Sequence, residues 1–207
     1  MSSVKSIEID TPGGLARVHV HPAEDPRAAL ALGHGAGGGT NARDLVAVRE
    51  VALSLGFSVA LVEQPYRVAG RRSPPRAPQL DVAWIAVIDH LRVQAFGGLP
   101  LVVGGRSSGA RVACRTAEAT GAVGVLCLAF PLQPPRRSDV APAPSRLSEL
   151  DALTVPALVV QGANDPFGLP PGGVLREVVL VKGDHSLRSD MASVASAVRA
   201  WLGTLAT

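Results

Sequence analysis

The chain has 207 residues, 47% of them apolar and 3% aromatic, and a formal net charge of +3. That apolar share excludes wholesale disorder, and the length suits one domain, residues 1–207, whose core is built from Val, Leu, Ala and Ile. With 20 basic against 17 acidic residues the charge is too dilute for a nucleic-acid-binding domain, the N-terminus lacks the apolar region of a signal peptide, and no apolar run is long enough to span a bilayer.

Two short strand-like segments, 6–9 and 16–21, flank Thr11-Pro12-Gly13-Gly14 and read as a hairpin, with His19 and His21 on its solvated face. The apolar run 28–32 leads into Gly33-His34-Gly35-Ala36-Gly37-Gly38-Gly39. Thr40 or Asn41 can then cap a helix to about residue 55, with Leu45, Val48, Val51, Ala52 and Leu55 at helical spacing. A strand over 57–62 precedes a Pro/Arg-rich loop over 63–77. Asp81 is positioned to cap a helix to about Val93. The run Leu101-Val102-Val103 enters Gly105-Arg106-Ser107-Ser108-Gly109, followed by a helix to about Ala119. Residues 123–130 form the next strand and 131–144 a proline-dense loop. Strands over 157–160 and 176–181 follow, and a last helix starts at Ser189 or Asp190 and runs to Leu202. Strands alternating with helices predict an α/β three-layer sandwich. Its sheet is mostly parallel, with an antiparallel N-terminal hairpin. Cys114 and Cys127 both fall in apolar segments of it and read as buried free thiols, which suits a reducing compartment, most simply the cytoplasm.

The segment 105–109 carries the chemistry. A G-x-S-x-G between a strand and a helix is the pattern of a sharp turn that lifts a serine hydroxyl above the sheet edge, at the amino end of the next helix. A serine hydroxyl is a weak nucleophile at neutral pH, so it needs a base to take its proton and a third group to orient that base. In this architecture the three follow in the order Ser, acid, His, each just past a strand end. Ser107, Asp165 and His185 meet that order and placement. Asp184 is a rival acid, but it adjoins His185, and neighbouring loop residues seldom aim at one another. The oxyanion requires two donors. Ser108 N–H is one, and the glycine-rich turn supplies the other, from Ala36 or Gly37; losing one such donor costs about 3 kcal/mol of transition-state stabilisation. His34 reads as a structural partner inside that turn. The same glycines could cradle a phosphate, yet they lack both the Gly-Lys-Ser/Thr end of a P-loop and the third glycine of a dinucleotide fingerprint.

With these residues in place the chain resembles the α/β-hydrolase superfamily. More narrowly, it is similar to the small cap-less group related to dienelactone hydrolases, which includes the hydrolase-like domain of a histone acetyltransferase complex subunit and its small testis-expressed homologue. The narrower likeness rests on Gly33-His34-Gly35-Ala36-Gly37-Gly38, Gln64-Pro65-Tyr66-Arg67, Gly104 to Gly109, Phe130-Pro131-Leu132, Gln161 to Gly168 and Gly183-Asp184-His185-Ser186. It implies an α/β-hydrolase fold without a cap domain, no metal or organic cofactor, and a Ser107–His185–Asp165 triad. The chain departs from the group between Phe167 and Arg176, where two prolines and three glycines stand in place of a helix. One sheet face there should be poorly covered, the kind of surface that a second copy in a homodimer could take.

Site and resemblance together predict a serine hydrolase that cleaves a small ester or thioester through an acyl-enzyme. No insertion is long enough for a lid, so the acyl group should be small or solvent-exposed. Arg67, Arg71, Arg72, Arg76, Arg106, Arg136 and Arg137 fall in loops on the same edge. They admit an anionic substrate, with Arg106, Arg67 and Tyr66 as the binding residues, although arginine is abundant throughout the chain. The alternative is a non-catalytic interaction module on a hydrolase scaffold.

Overall fold

A computed structural model of the chain describes residues 4–134 and 144–205. Eight strands form one sheet: β1 (Lys5–Thr11), β2 (Gly14–His21), β3 (Ala28–Gly33), β4 (Phe57–Glu63), β5 (Leu101–Arg106), β6 (Gly124–Leu128), β7 (Ala157–Gly162) and β8 (Arg176–Val181). Their order across the sheet is β1-β2-β4-β3-β5-β6-β7-β8. The first two strands pair antiparallel, β2 runs antiparallel to β4, and every later pairing is parallel. The expected fold class is therefore observed: an α/β sandwich whose antiparallel part is the N-terminal hairpin.

Helices cover both faces because the central strands are apolar on both. On one face Leu30, Leu32, Val102, Leu126 and Val160 pack on Leu45 and Val48 of α1 (Arg43–Ser54) and on Val194, Val198 and Leu202 of α6 (Met191–Leu205). On the other, Ala29, Ala31, Val103 and Cys127 meet Trp84 and Ile88 of α3 (Ala77–Leu91) and Val112 and Ala113 of α4 (Ser108–Thr116). Each fully enclosed leucine, such as Leu30 or Leu32, contributes about 2 kcal/mol by leaving water. The side chains that β3 turns toward α4 are alanines, which lets that helix lie close to the strand. Ion pairs from Arg111 to Glu149 and from Arg115 to Asp81 and Glu149 tie α4 to α5 (Leu147–Asp151) and α3.

Several local expectations are corrected. Neither Thr40 nor Asn41 caps α1, which starts at Arg43 after Ala42 with no side-chain cap. Asp81 does not start α3. The helix begins at Ala77, because Pro78 in its first turn needs no N–H partner, and Asp81 instead pairs with Arg115 at 2.6 Å. That helix continues past Leu91 in a π-helical turn, Arg92–Phe96. The loop over 63–77 holds a short helix, α2 (Pro65–Val68), and α5 follows the proline-dense loop; neither was anticipated. At the last helix Asp190 does cap, its Oδ1 accepting from Ser193 N–H at 3.0 Å, and the helix runs on to Leu205.

No helix forms between β7 and β8. The segment makes one bridge, Gly173 to Arg176. In that segment Leu169 and Leu175 are 43 and 42% exposed, and Leu180 on β8 is 53% exposed. Cys114 and Cys127 are buried free thiols with sulfurs 3.4 Å apart. Their mutual hydrogen bond and burial push the Cys114 thiol well above its ordinary range. Among the described residues no helix is long and apolar enough to cross a membrane.

Candidate active site

The C-terminal ends of β5, β7 and β8 bring Ser107, Asp165 and His185 together. Ser107 follows β5 at once and has φ 52° and ψ −107°, a conformation that a non-glycine residue rarely adopts. Its N–H donates to Leu128 O at 2.9 Å, which fastens the turn to the end of β6. The turn closes only because glycine stands on both sides of the serine. A Cβ at Gly105 or at Gly109 would come within 2.4 Å of the Gly33 carbonyl oxygen on β3. Gly109→Ala therefore tests the packing directly. Helix propensity alone favours alanine by about 1 kcal/mol. The clash is with backbone that cannot turn aside, so the expected outcome is a net loss of about 3 kcal/mol in urea unfolding or no folded protein. A variant as stable as the parent would contradict this packing.

Asp165 sits past β7 with its side chain fully buried, and three donors hold it. Phe167 N–H reaches Oδ1 at 2.8 Å, while Gln161 Nε2 and His185 Nδ1 both reach Oδ2 at 2.8 Å. The other ring nitrogen of His185, Nε2, is 2.9 Å from Ser107 Oγ. With the Nδ1 proton donated to Asp165, Nε2 is left as an acceptor facing the hydroxyl. The Phe167 ring lies against the imidazole, centroids 4.3 Å apart. Asp184 is exposed and turned away. It accepts from Ser186 N–H at 2.9 Å and from Ser186 Oγ at 2.6 Å, and these bonds hold its carboxyl below the usual range.

The glycine-rich turn after β3 lies beside the serine, with a Cβ built on Gly35 only 3.7 Å from that of Ser107. His34 is buried and braces the turn. Its Nδ1–H donates to Gly35 O at 2.8 Å and its Nε2 accepts Gln64 N–H at 3.1 Å. Burial pushes its pKa down, which suits the neutral ring that these two bonds require. Tyr66 O–H donates to Ala36 O at 2.9 Å and so fixes the Ala36–Gly37 peptide. Ser108 opens α4, where N–H groups have no partner within the helix.

Two of the three expected substrate-binding residues also have partners inside the protein. Tyr66 is buried and its hydroxyl is spent on the turn. Arg106 is drawn inward: Nε is 2.8 Å from Asp44 Oδ2, and Nη2 donates to His185 O at 3.0 Å. Arg67 keeps a buried Nε without a partner, and it forms no ion pair among the described residues. Arg136 and Arg137 lie outside the described residues.

Gln161 and Asp44 were missed as parts of the site. Gln161 is the one polar side chain of β7, a signal that the sequence does carry. Asp44 carries none, since an acidic residue in the first turn of a helix is commonplace.

A serine on a sharp strand-to-helix turn at the edge of a mostly parallel eight-stranded sheet defines the α/β-hydrolase class of protein. The family model for the alpha/beta hydrolase domain matches residues 26–201, and the chain belongs to that family. Several solved structures share the fold. XC6422 from Xanthomonas campestris, an α/β serine hydrolase without a lid, is 19% identical with a TM-score of 0.77, over 99% of this chain and 96% of that one. Est1E from Butyrivibrio proteoclasticus is 16% identical with a TM-score of 0.78, over 98% and 99% of the two chains; a second structure of it holds ferulic acid. An α/β serine hydrolase homologue from Coxiella burnetii is 14% identical with a TM-score of 0.76, over 98% and 99%. No curated protein matches the chain.

Proposed function

We propose that the chain is a serine hydrolase that cleaves a small ester or thioester through an acyl-enzyme. The observation that carries this reading is one imidazole spanning two partners, 2.9 Å from Ser107 Oγ and 2.8 Å from Asp165 Oδ2. As Ser107 Oγ attacks the acyl carbon, its proton passes to His185 Nε2. The imidazolium so formed is stabilised by Asp165, which keeps its negative charge throughout. The carbonyl oxygen becomes an oxyanion held by Ser108 N–H and by an N–H of Ala36 or Gly37. The tetrahedral intermediate collapses, His185 returns the proton to the departing alkoxide or thiolate, and the acyl group stays on Ser107. Water then repeats the sequence: His185 takes its proton, the acid leaves, and the proton returns to Ser107.

An anionic substrate now rests on Arg67, because Arg106 is spent internally. Labelling with a fluorophosphonate, together with a panel of p-nitrophenyl acetate, butyrate, octanoate and succinate, a thioester and a feruloyl ester, tests the reading. The expected outcome is covalent modification at Ser107 and turnover highest for the short acyl groups. A preference for the succinate monoester over butyrate that disappears in Arg67→Met would assign the anionic class. A folded protein that neither labels nor turns over any ester would be an interaction module on a hydrolase scaffold.

A further inference from the structure

We infer that Asp44 and Arg106 form a positioning clamp that holds the backbone of His185 in register with Ser107; the inference rests on the serine-hydrolase reading and adds to it. Arg106 is the residue before the nucleophile, so two consecutive side chains reach for the same histidine. Ser107 Oγ meets its ring at 2.9 Å, and Arg106 Nη2 donates to its main-chain carbonyl at 3.0 Å. Asp44, on the first turn of α1 and only 2% exposed, draws the guanidinium inward as its ion-pair partner, Oδ2 2.8 Å from Nε. The planar fork then offers Nη2 to the carbonyl, an arrangement that a lysine ammonium cannot reproduce. The guanidinium also lies against the glycine-rich turn, since a Cβ on Gly35 would come within 3.0 Å of Nη1. The segments after β3 and β8 therefore meet one cation at the end of β5.

The loop that carries His185 is held at its ends, by Asn164 N–H donating to Gly183 O at 2.9 Å and by the fully buried Leu187, and the Arg106 bond adds a hold at His185 itself. The loop is bounded by Gly183 at φ 123° and Leu187 at φ 53°, the latter in a region that leucine disfavours. Asp165 orients the ring through Nδ1 but does not fix where the main chain stands. A shift of the loop can keep that bond while Nε2 leaves Ser107 Oγ. A displacement of about 1 Å at this distance costs about 100-fold in rate. The clamp acts on the base through its backbone and touches no reacting atom.

The test compares Arg106→Met, Arg106→Lys and Asp44→Asn with the parent by p-nitrophenyl acetate kinetics and by hydrogen exchange of residues 183–188. The expected result for both arginine variants is a fall in kcat of about 10- to 100-fold, with KM within about twofold. Asp44→Asn, which keeps an acceptor but loses its charge, should fall less. Exchange should quicken over 183–188 and stay unchanged in β5. In Arg106→Ala, millimolar guanidinium chloride should recover part of kcat where equal sodium chloride does not, a readout that mere loss of stability would not produce. Full activity in Arg106→Met, or a fall spread over kcat, KM and global exchange alike, would overturn the clamp. If Arg106→Met does not fold, Arg106→Lys and Asp44→Asn decide the matter. If the parent hydrolyses no ester, the hydrolase reading fails by itself, and the exchange rates over 183–188 still report whether the clamp holds the loop.

Discussion

Ser107→Ala is expected to lower kcat for ester hydrolysis by about 10⁶-fold and to abolish labelling by a fluorophosphonate. The size follows from the geometry. The hydroxyl lies 2.9 Å from His185 Nε2, beside the glycine-rich turn and at the start of α4. Without it, His185 can only activate water that no side chain has placed. The oxyanion donors survive the substitution, so a residual rate about 10³-fold above the uncatalysed reaction should remain. Stability should hardly change. Alanine at φ 52° is as strained as serine, and the N–H bond to Leu128 O is retained. A melting temperature within a few degrees of the parent would show that the lost activity is chemical. Activity within about tenfold of the parent would remove Ser107 from the mechanism, and with it the acyl-enzyme.

Asp165→Asn is expected to lower kcat by about 10⁴-fold, and here stability should fall as well. The carboxylate accepts from three donors: Phe167 N–H at Oδ1, and Gln161 Nε2 and His185 Nδ1 at Oδ2. An asparagine amide has one oxygen to offer. If that oxygen faces Phe167, the NH₂ meets Gln161 and His185. The imidazole must then move its proton to Nε2, where it points at Ser107 and cannot accept. If the oxygen faces His185, the NH₂ opposes the Phe167 N–H instead. Either way one buried donor is left unpaired, at a cost of about 1–3 kcal/mol. Kinetics and urea unfolding on the same variant separate the two effects. A variant that loses stability yet keeps kcat within about tenfold would show that Asp165 is a loop anchor and that another group orients His185.

The two families of residues at the site differ in how legible they were. Ser107 was readable because its setting is local: a strand, two glycines and a helix lie within a few residues of one another. Asp165 and His185 became readable through their place just past a strand end, which a parallel sheet brings to one rim. Arg106 reads in the sequence as a substrate contact on that rim. Its long side chain had two directions open, and nothing nearby in the chain says that Asp44 lies under it. Tyr66 reads as a substrate contact for the same reason, and its partner in the fold, the Ala36 carbonyl, lies 30 residues away in the chain. Asp81 shows the effect in a helix: a good capping residue was passed over because Pro78 started the helix earlier and Arg115 came within reach across the layer.

By itself the sequence determined the alternation of strands and helices, the hairpin, the absence of a helix before β8, and which serine, carboxylate and imidazole could meet. Apolar periodicity, proline and glycine act over a few residues and leave their mark in the chain. Only the tertiary structure decided which arginine is consumed internally, which carboxylate receives it, and that Gln161 and Phe167 hold Asp165 in place. Those partners are chosen by the packing of segments far apart in the chain, where a charge or a hydrogen bond pairs with whichever group the sheet and its helices set beside it.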